Sequence, residues 1–125
     1  MNWTAIGAFL MALAVCLGAF GAHGLKGKID EYSMTVYEKA VFYHFVHALG
    51  ILLVALLART GAISLTGQTR VAWLLAIGIA IFSGSLYALA ISGVRLLGAI
   101  TPIGGLAFIA GWLLLVYEAV RAQRT

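Results

Sequence analysis

The sequence predicts an all-α integral membrane protein, a four-helix bundle with antiparallel neighbours and short loops. Three observations carry that expectation. Of its 125 residues, 63% are apolar, against about 45–50% in soluble domains. Charge is limited to eight Lys or Arg and four Asp or Glu. These charges leave four long uncharged stretches: residues 1–25, with an apolar core from Ala5 to Ala22, then Ala40–Ala58, Val71–Val94 and Leu96–Tyr117. A spanning helix needs roughly 20 apolar residues to cross about 30 Å of hydrocarbon, and all four stretches qualify, the first being the shortest. Disorder is excluded by the apolar content, and a disulfide scaffold by the single Cys16. The alternation of a β-barrel strand is missing. Nucleic acid is not an expected partner, because the basic residues form no stripe.

The expected helices cover about 4–23, 35–58, 70–93 and 102–121 in one transmembrane domain. The first is read as a retained span. No Lys or Arg precedes it, so the basic start of a signal peptide is missing. In Leu13-Ala14-Val15-Cys16, bulky Val15 stands where a lipoprotein cleavage box has a small residue. The connections, residues 23–37, 59–70 and 95–102, are short enough to make consecutive helices antiparallel. Gly24 suits the left-handed residue that ends a helix. Thr101 suits an N-cap, and Pro102 the first helical position.

Lipid tails are as apolar as Leu, so helices associate in a membrane through close backbone approach at small residues. Ala72, Ala76, Ala80, Gly84 and Ala88 recur at every fourth position, as do Ala14, Gly18 and Ala22, with Gly7 and Gly21 nearby; Gly104, Ala107 and Gly111 serve the last span. Gly18, Gly21, Ala76, Ala80, Gly84, Gly104 and Gly111 are the expected packing positions. The same faces could meet a second copy or another membrane protein. Cys16 is expected to be a small core residue, and Trp3 and Tyr117, with Trp73 and Trp112 near them, interfacial anchors. Arg59, Arg70, Arg121 and Arg124 share the side of the termini, while Lys26, Lys28, Lys39 and Arg95 lie opposite. The positive-inside count therefore ties, and the orientation adopted places both termini in the cytoplasm. The basic residues also suit an anionic leaflet, although ordinary topogenic charge explains them.

Polar side chains collect toward the end of loops 1 and 3. At 1.5 Å per residue, His44 lies roughly 6 Å and His47 roughly 10 Å below Ala40. Tyr43 and His47 are four apart, and Ser83, Ser85 and Tyr87 lie toward the same end of the third span. His23 ends the first. An ionisable group inside a membrane is by default a candidate functional site, so His23, His44, His47, Tyr43, Ser83, Ser85 and Tyr87 form the candidate ligand or polar cluster. The competing reading is packing: a neutral His can donate to a neighbouring carbonyl or hydroxyl, and His23 can cap its helix. Glu38 reads as an interfacial charge paired with a lysine. No catalytic motif occurs, so no enzymatic activity, metal or cofactor is assigned. Gly18-Ala-Phe-Gly21-Ala-His-Gly24 ends a membrane helix instead of following a strand, and is no nucleotide loop.

Four segments carry a resemblance. Gly18-Ala-Phe-Gly-Ala-His-Gly-Leu25, Lys39-Ala-Val-Phe-Tyr-His-Phe-Val-His-Ala-Leu49, Phe82-Ser-Gly-Ser-Leu-Tyr87 and Thr101-Pro-Ile-Gly-Gly-Leu106, followed by Gly111-Trp112, together resemble the bacterial membrane family called domain of unknown function 423. That family includes the eukaryotic transmembrane protein 256. The resemblance implies a small multi-pass membrane protein without an established activity, with His23 and His47 on the family's His positions. His44 departs from many bacterial members, which have Gln there, and resembles the eukaryotic branch. A site needing both His44 and His47 is weakened by that departure, whereas one using His23 and His47 is not. The leading expectation is a structural or accessory role through helix packing. The alternative is a binding module holding haem, a metal or a quinone-like ligand at the histidines. Transport is the weakest, with few polar groups and no broken helix.

Overall fold

Polar caps start three of the four helices. Asn2, Asp30 and Ser64 each have extended backbone and accept a backbone N–H from three residues ahead through the side chain, which satisfies one of the orphan donors of a first turn. The computed structural model describes residues 1–124. Helix α1 spans Trp3–Phe20 and runs into a widened π turn, Gly21–Leu25; α2 spans Glu31–Arg59. Helix α3 spans Leu65–Ser92 and is continuous, with a π segment at Ile79–Ser83. After a short 3-10 turn at Arg95–Ala99 comes α4, Thr101–Gln123. All four are long and apolar enough to cross a membrane, and the described residues contain no strand.

Helices α2 and α3 are the centre. They pack on each other, α1 lies against α2, and α4 lies against α3. Ala48, Ile51, Val54, Val71, Ala72, Leu75, Ile79 and Phe108 form the main apolar core. The outer helices α1 and α4 turn much more of their surface outward than the central pair, as expected where the solvent is lipid. Gly104 sets the closest crossing: a Cβ there would overlap the Phe82 backbone, standing 2.7 Å from its Cα. Gly111 likewise lies under Leu75, and Gly50 under Trp112.

Several local expectations are corrected. Helix α2 begins four residues earlier and α3 five residues earlier than the expected starts at 35 and 70, because Asp30 and Ser64 cap polar turns that stand above the apolar segment. Gly24 is helical, and the chain leaves α1 at a type II-like turn where Gly27 takes φ +81° and the Lys28 N–H donates to the Leu25 carbonyl, a geometry that favours glycine. Thr101 is inside α4, not its cap, and its hydroxyl is turned to Ser85. Cys16 is exposed, so it faces lipid. Trp3 is buried, edge-on to Trp73. Glu38 is exposed, and among the described residues the one ion pair is Arg70–Glu118. The every-fourth-residue stripe of α3 does not stay on one interface: each step of four overshoots a turn by about 40°. Ala72 is buried, whereas Ala80 and Ala88 are exposed.

Candidate functional site

Helix α2 positions both intramembrane histidines. They are three residues apart and share a helix face, yet one meets α3 and the other α4. His47 sits under α4, with its ring stacked on Phe108 at 3.5 Å between centroids. Its Nδ1 is 2.7 Å from the Tyr43 carbonyl, and its Nε2 accepts the Trp112 Nε1–H at 3.0 Å. A carbonyl can only accept, so Nδ1 carries the proton and Nε2 offers its lone pair to the indole. One neutral tautomer satisfies both contacts, and both ring nitrogens are engaged.

His44 is buried toward α3 and α1. Its Nδ1 lies 2.9 Å from the Tyr87 hydroxyl. Its Nε2 is buried without a hydrogen-bond partner. Either group can donate in the Tyr87 contact, according to the tautomer of the ring.

Further polar contacts reinforce this pairing of α2 with α3 and tie α3 to α4 and α2 to α1. Ser83 donates to the Ala40 carbonyl at 2.8 Å, bridging α3 to α2. The Ser85 and Thr101 hydroxyls meet at 2.6 Å, bridging α3 to α4. Tyr37 donates to the Leu17 carbonyl, bridging α2 to α1. Gly21 makes that approach possible, since a Cβ there would run into the Tyr37 ring. Both π turns lie beside this layer: Gly21 opens the first, and Ser83 closes the second. Such turns often mark places where a helix adapts to a specific contact.

The structure thus brings His44, His47, Tyr43, Ser83, Ser85 and Tyr87 into one interhelical layer. It leaves His23 out: His23 is exposed in the π turn and shares none of these contacts. Among the described residues no three His, Cys, Asp or Glu gather in an arrangement suited to a metal ion. Gly18 makes only ordinary contact with Val41, and a Cβ added at Gly84 would meet nothing within 4 Å.

A model for a protein family of unknown function, DUF423, matches residues 17–105. The chain belongs to the DUF423 family. That stretch includes both histidines of α2 and all of α3. A UPF0382 membrane protein of Staphylococcus haemolyticus is 50% identical over 93% of each chain. One of Bacillus subtilis is 50% identical over 93% of this chain and 94% of its own. These DUF423 relatives are described as membrane proteins, in accord with the four apolar helices. No solved structure matches the chain.

Two residues escape a reading based on apolar stretches. Trp112 looks interfacial in sequence but lies mid-helix in α4 and donates to His47. Glu118 lies just past the end of the uncharged run, yet is 2% exposed. The signal is a seven-residue stride: Gly104, Gly111 and Glu118 share one face of α4, and all are buried. Residues two turns apart return to nearly the same side of a helix.

Proposed function

We propose that this DUF423 protein is a non-enzymatic accessory component of the bacterial cytoplasmic membrane, working through helix packing within itself and with a membrane neighbour. The observation that carries the reading is His47, whose two ring nitrogens are both committed, one to the Tyr43 carbonyl and one to Trp112. A histidine poised for a metal or haem keeps one nitrogen available to the ligand. Here the polar side chains of the layer, His44 Nε2 excepted, bond one another or backbone carbonyls of neighbouring turns and helices, as expected of hydrogen bonds that hold membrane helices together. An absorption spectrum and elemental analysis of the detergent-purified protein test this. A spectrum without a Soret band and no stoichiometric metal are expected; either signal would assign the layer to a cofactor instead.

The neighbour is a second copy of the chain or another membrane helix, received on the outer side of α3. Ala80 and Ala88 are exposed there, and Gly84 between them has open space where a side chain would be. Crosslinking through cysteines placed at Ala80 and Ala88 in native membranes should trap this neighbour. Gly84→Leu should abolish the trapped product, and persistence of the product would place the contact elsewhere. Both termini are assigned to the cytoplasm. A reporter active only in the cytoplasm, fused at the C-terminus, should be active.

A further inference from the structure

We propose that Glu118, Arg121 and Ser64 form a binding site for a phospholipid headgroup that carries a primary ammonium beside its phosphate, as phosphatidylethanolamine does. The site lies at the end of the bundle where the chain termini emerge, away from the histidine layer. It goes beyond the packing role and does not rest on it.

The starting point is a buried carboxylate with one oxygen to spare. Glu118 is 2% exposed. Its Oε2 lies against the first turn of α3, where Gly67 makes room: a Cβ on that residue would stand 2.6 Å from Oε2. A negative charge is favourable at a helix N-terminus. Oε1 has no hydrogen-bond partner. Arg70 Nη1 is 3.9 Å from it, beyond hydrogen-bond distance, and that side chain is 57% exposed. An ion pair of that length with a solvated partner contributes little, while a buried carboxylate oxygen without a donor is costly. Glu118 lines a cavity of about 290 Å³ together with Gly61, Ile63, Ser64 and Arg121. The volume is at the small end for ligand pockets.

Charge selects the occupant. A simple cation entering the cavity would be drawn to Glu118 but repelled by Arg121 and the nearby Arg70. A simple anion would meet the reverse conflict. A group carrying both signs satisfies both walls: its ammonium donates to the Glu118 carboxylate, and its phosphate pairs with Arg121. The level suits a headgroup, because Arg59, Arg70, Arg121 and Arg124 all lie at this end of the helices. A second groove of about 360 Å³ shares Arg121 and is lined by Tyr117, Val120 and Arg124. It continues along the outside of α4 and offers the glycerol and upper acyl chain a path from the headgroup to the bilayer. A choline headgroup lacks N–H donors and cannot satisfy Oε1. A glycerol headgroup lacks the positive charge.

The test uses the full chain in mild detergent, titrated with phosphatidylethanolamine, phosphatidylcholine and phosphatidylglycerol of identical acyl chains and read by native mass spectrometry. Phosphatidylethanolamine should bind about tenfold more tightly than either other lipid, the effect of one charge-assisted hydrogen bond. Glu118→Gln should remove that preference, and Arg121→Gln should weaken phosphatidylethanolamine and phosphatidylglycerol alike. Equal binding of the three lipids by the unaltered protein would overturn the proposal without recourse to a variant. So would retention of the preference in Glu118→Gln. Should that variant fail to fold, Gly67→Ala serves instead, since its methyl crowds Oε2 and should erode the same preference. Two controls separate the sources of the ammonium. If ammonium chloride, or soluble glycerophosphoethanolamine, competes as well as the whole lipid at equal concentration, the site takes a free cation or a free headgroup and the lipid assignment falls.

Discussion

Two glycines that look alike in the sequence should respond oppositely to alanine. Gly104 and Gly84 both lie in apolar spans and both belong to small-residue series. At Gly104 an added Cβ would overlap the Phe82 backbone nitrogen and stand 2.7 Å from the Phe82 Cα and Cβ. Backbone cannot swing aside as a side-chain tip can, so α4 must shift off the π segment of α3. Overpacking of this kind costs about 1–3 kcal/mol. Replacing a helical glycine returns about 0.5–1 kcal/mol of backbone entropy, leaving Gly104→Ala less stable by about 1–2 kcal/mol. The same displacement would stretch the 2.6 Å contact between Ser85 and Thr101. At Gly84 nothing lies within 4 Å of the new methyl, so Gly84→Ala should be neutral or more stable by up to about 1 kcal/mol. The assay is reversible unfolding in mixed micelles, followed by circular dichroism at dilutions where chains do not associate. Equal destabilisation by the two substitutions would refute the reasoning, because the space around each glycine would then not decide its role.

Other substitutions test the layer and the ends. His47→Leu removes the acceptor of the Trp112 N–H and should cost about 1–2 kcal/mol, with a shift in tryptophan emission; His47→Gln, which retains an acceptor, should recover part of the loss. Trp3→Phe should change stability by less than about 1 kcal/mol, since the buried Trp3 Nε1 has no partner, whereas Trp3→Ala opens a cavity and should cost about 3 kcal/mol or more; a large loss in Trp3→Phe would show that the indole N–H is used. Asp30 is held below the usual carboxylate range by the Ser33 backbone N–H, then by the Ser33 side chain, with Arg95 adding to it. A lowered folded-state pKa contributes stability above the ordinary carboxylate pKa, and that contribution is lost as pH falls through the lowered folded value. Carbon-detected NMR should show Asp30 titrating below the usual carboxylate range, and Asp30→Asn should remove this part of the acid sensitivity of the α2 start while keeping a capping oxygen.

Which features were legible in the sequence follows from the range of the forces involved. The four spans were legible because crossing a hydrocarbon layer demands long uncharged runs, a local property of composition. The polar half of the bundle was legible from depth, because residue number converts to distance along a helix. Partners were not. The distance from His47 to Trp112 spans 65 positions in the chain, and only the seating of α4 against α3 brings them together. Cys16 and Trp3 show the same limit: both are apolar members of one helix, yet one faces lipid and the other packs on Trp73.

Glu118 makes the division sharpest. Sequence alone determined that α4 ends near a tyrosine, a glutamate and two arginines, the ordinary content of a membrane interface. Burial of the carboxylate depended on Gly67, a residue of another helix whose missing side chain leaves the space the carboxylate occupies. By itself the sequence determined membership of the bilayer, the number of crossings and the end at which polar groups gather, because lipid acts on every residue through its depth. The tertiary structure decided which polar atoms are satisfied by one another and which are left over, because hydrogen bonds of about 3 Å depend on how neighbouring helices are rotated and how closely they approach.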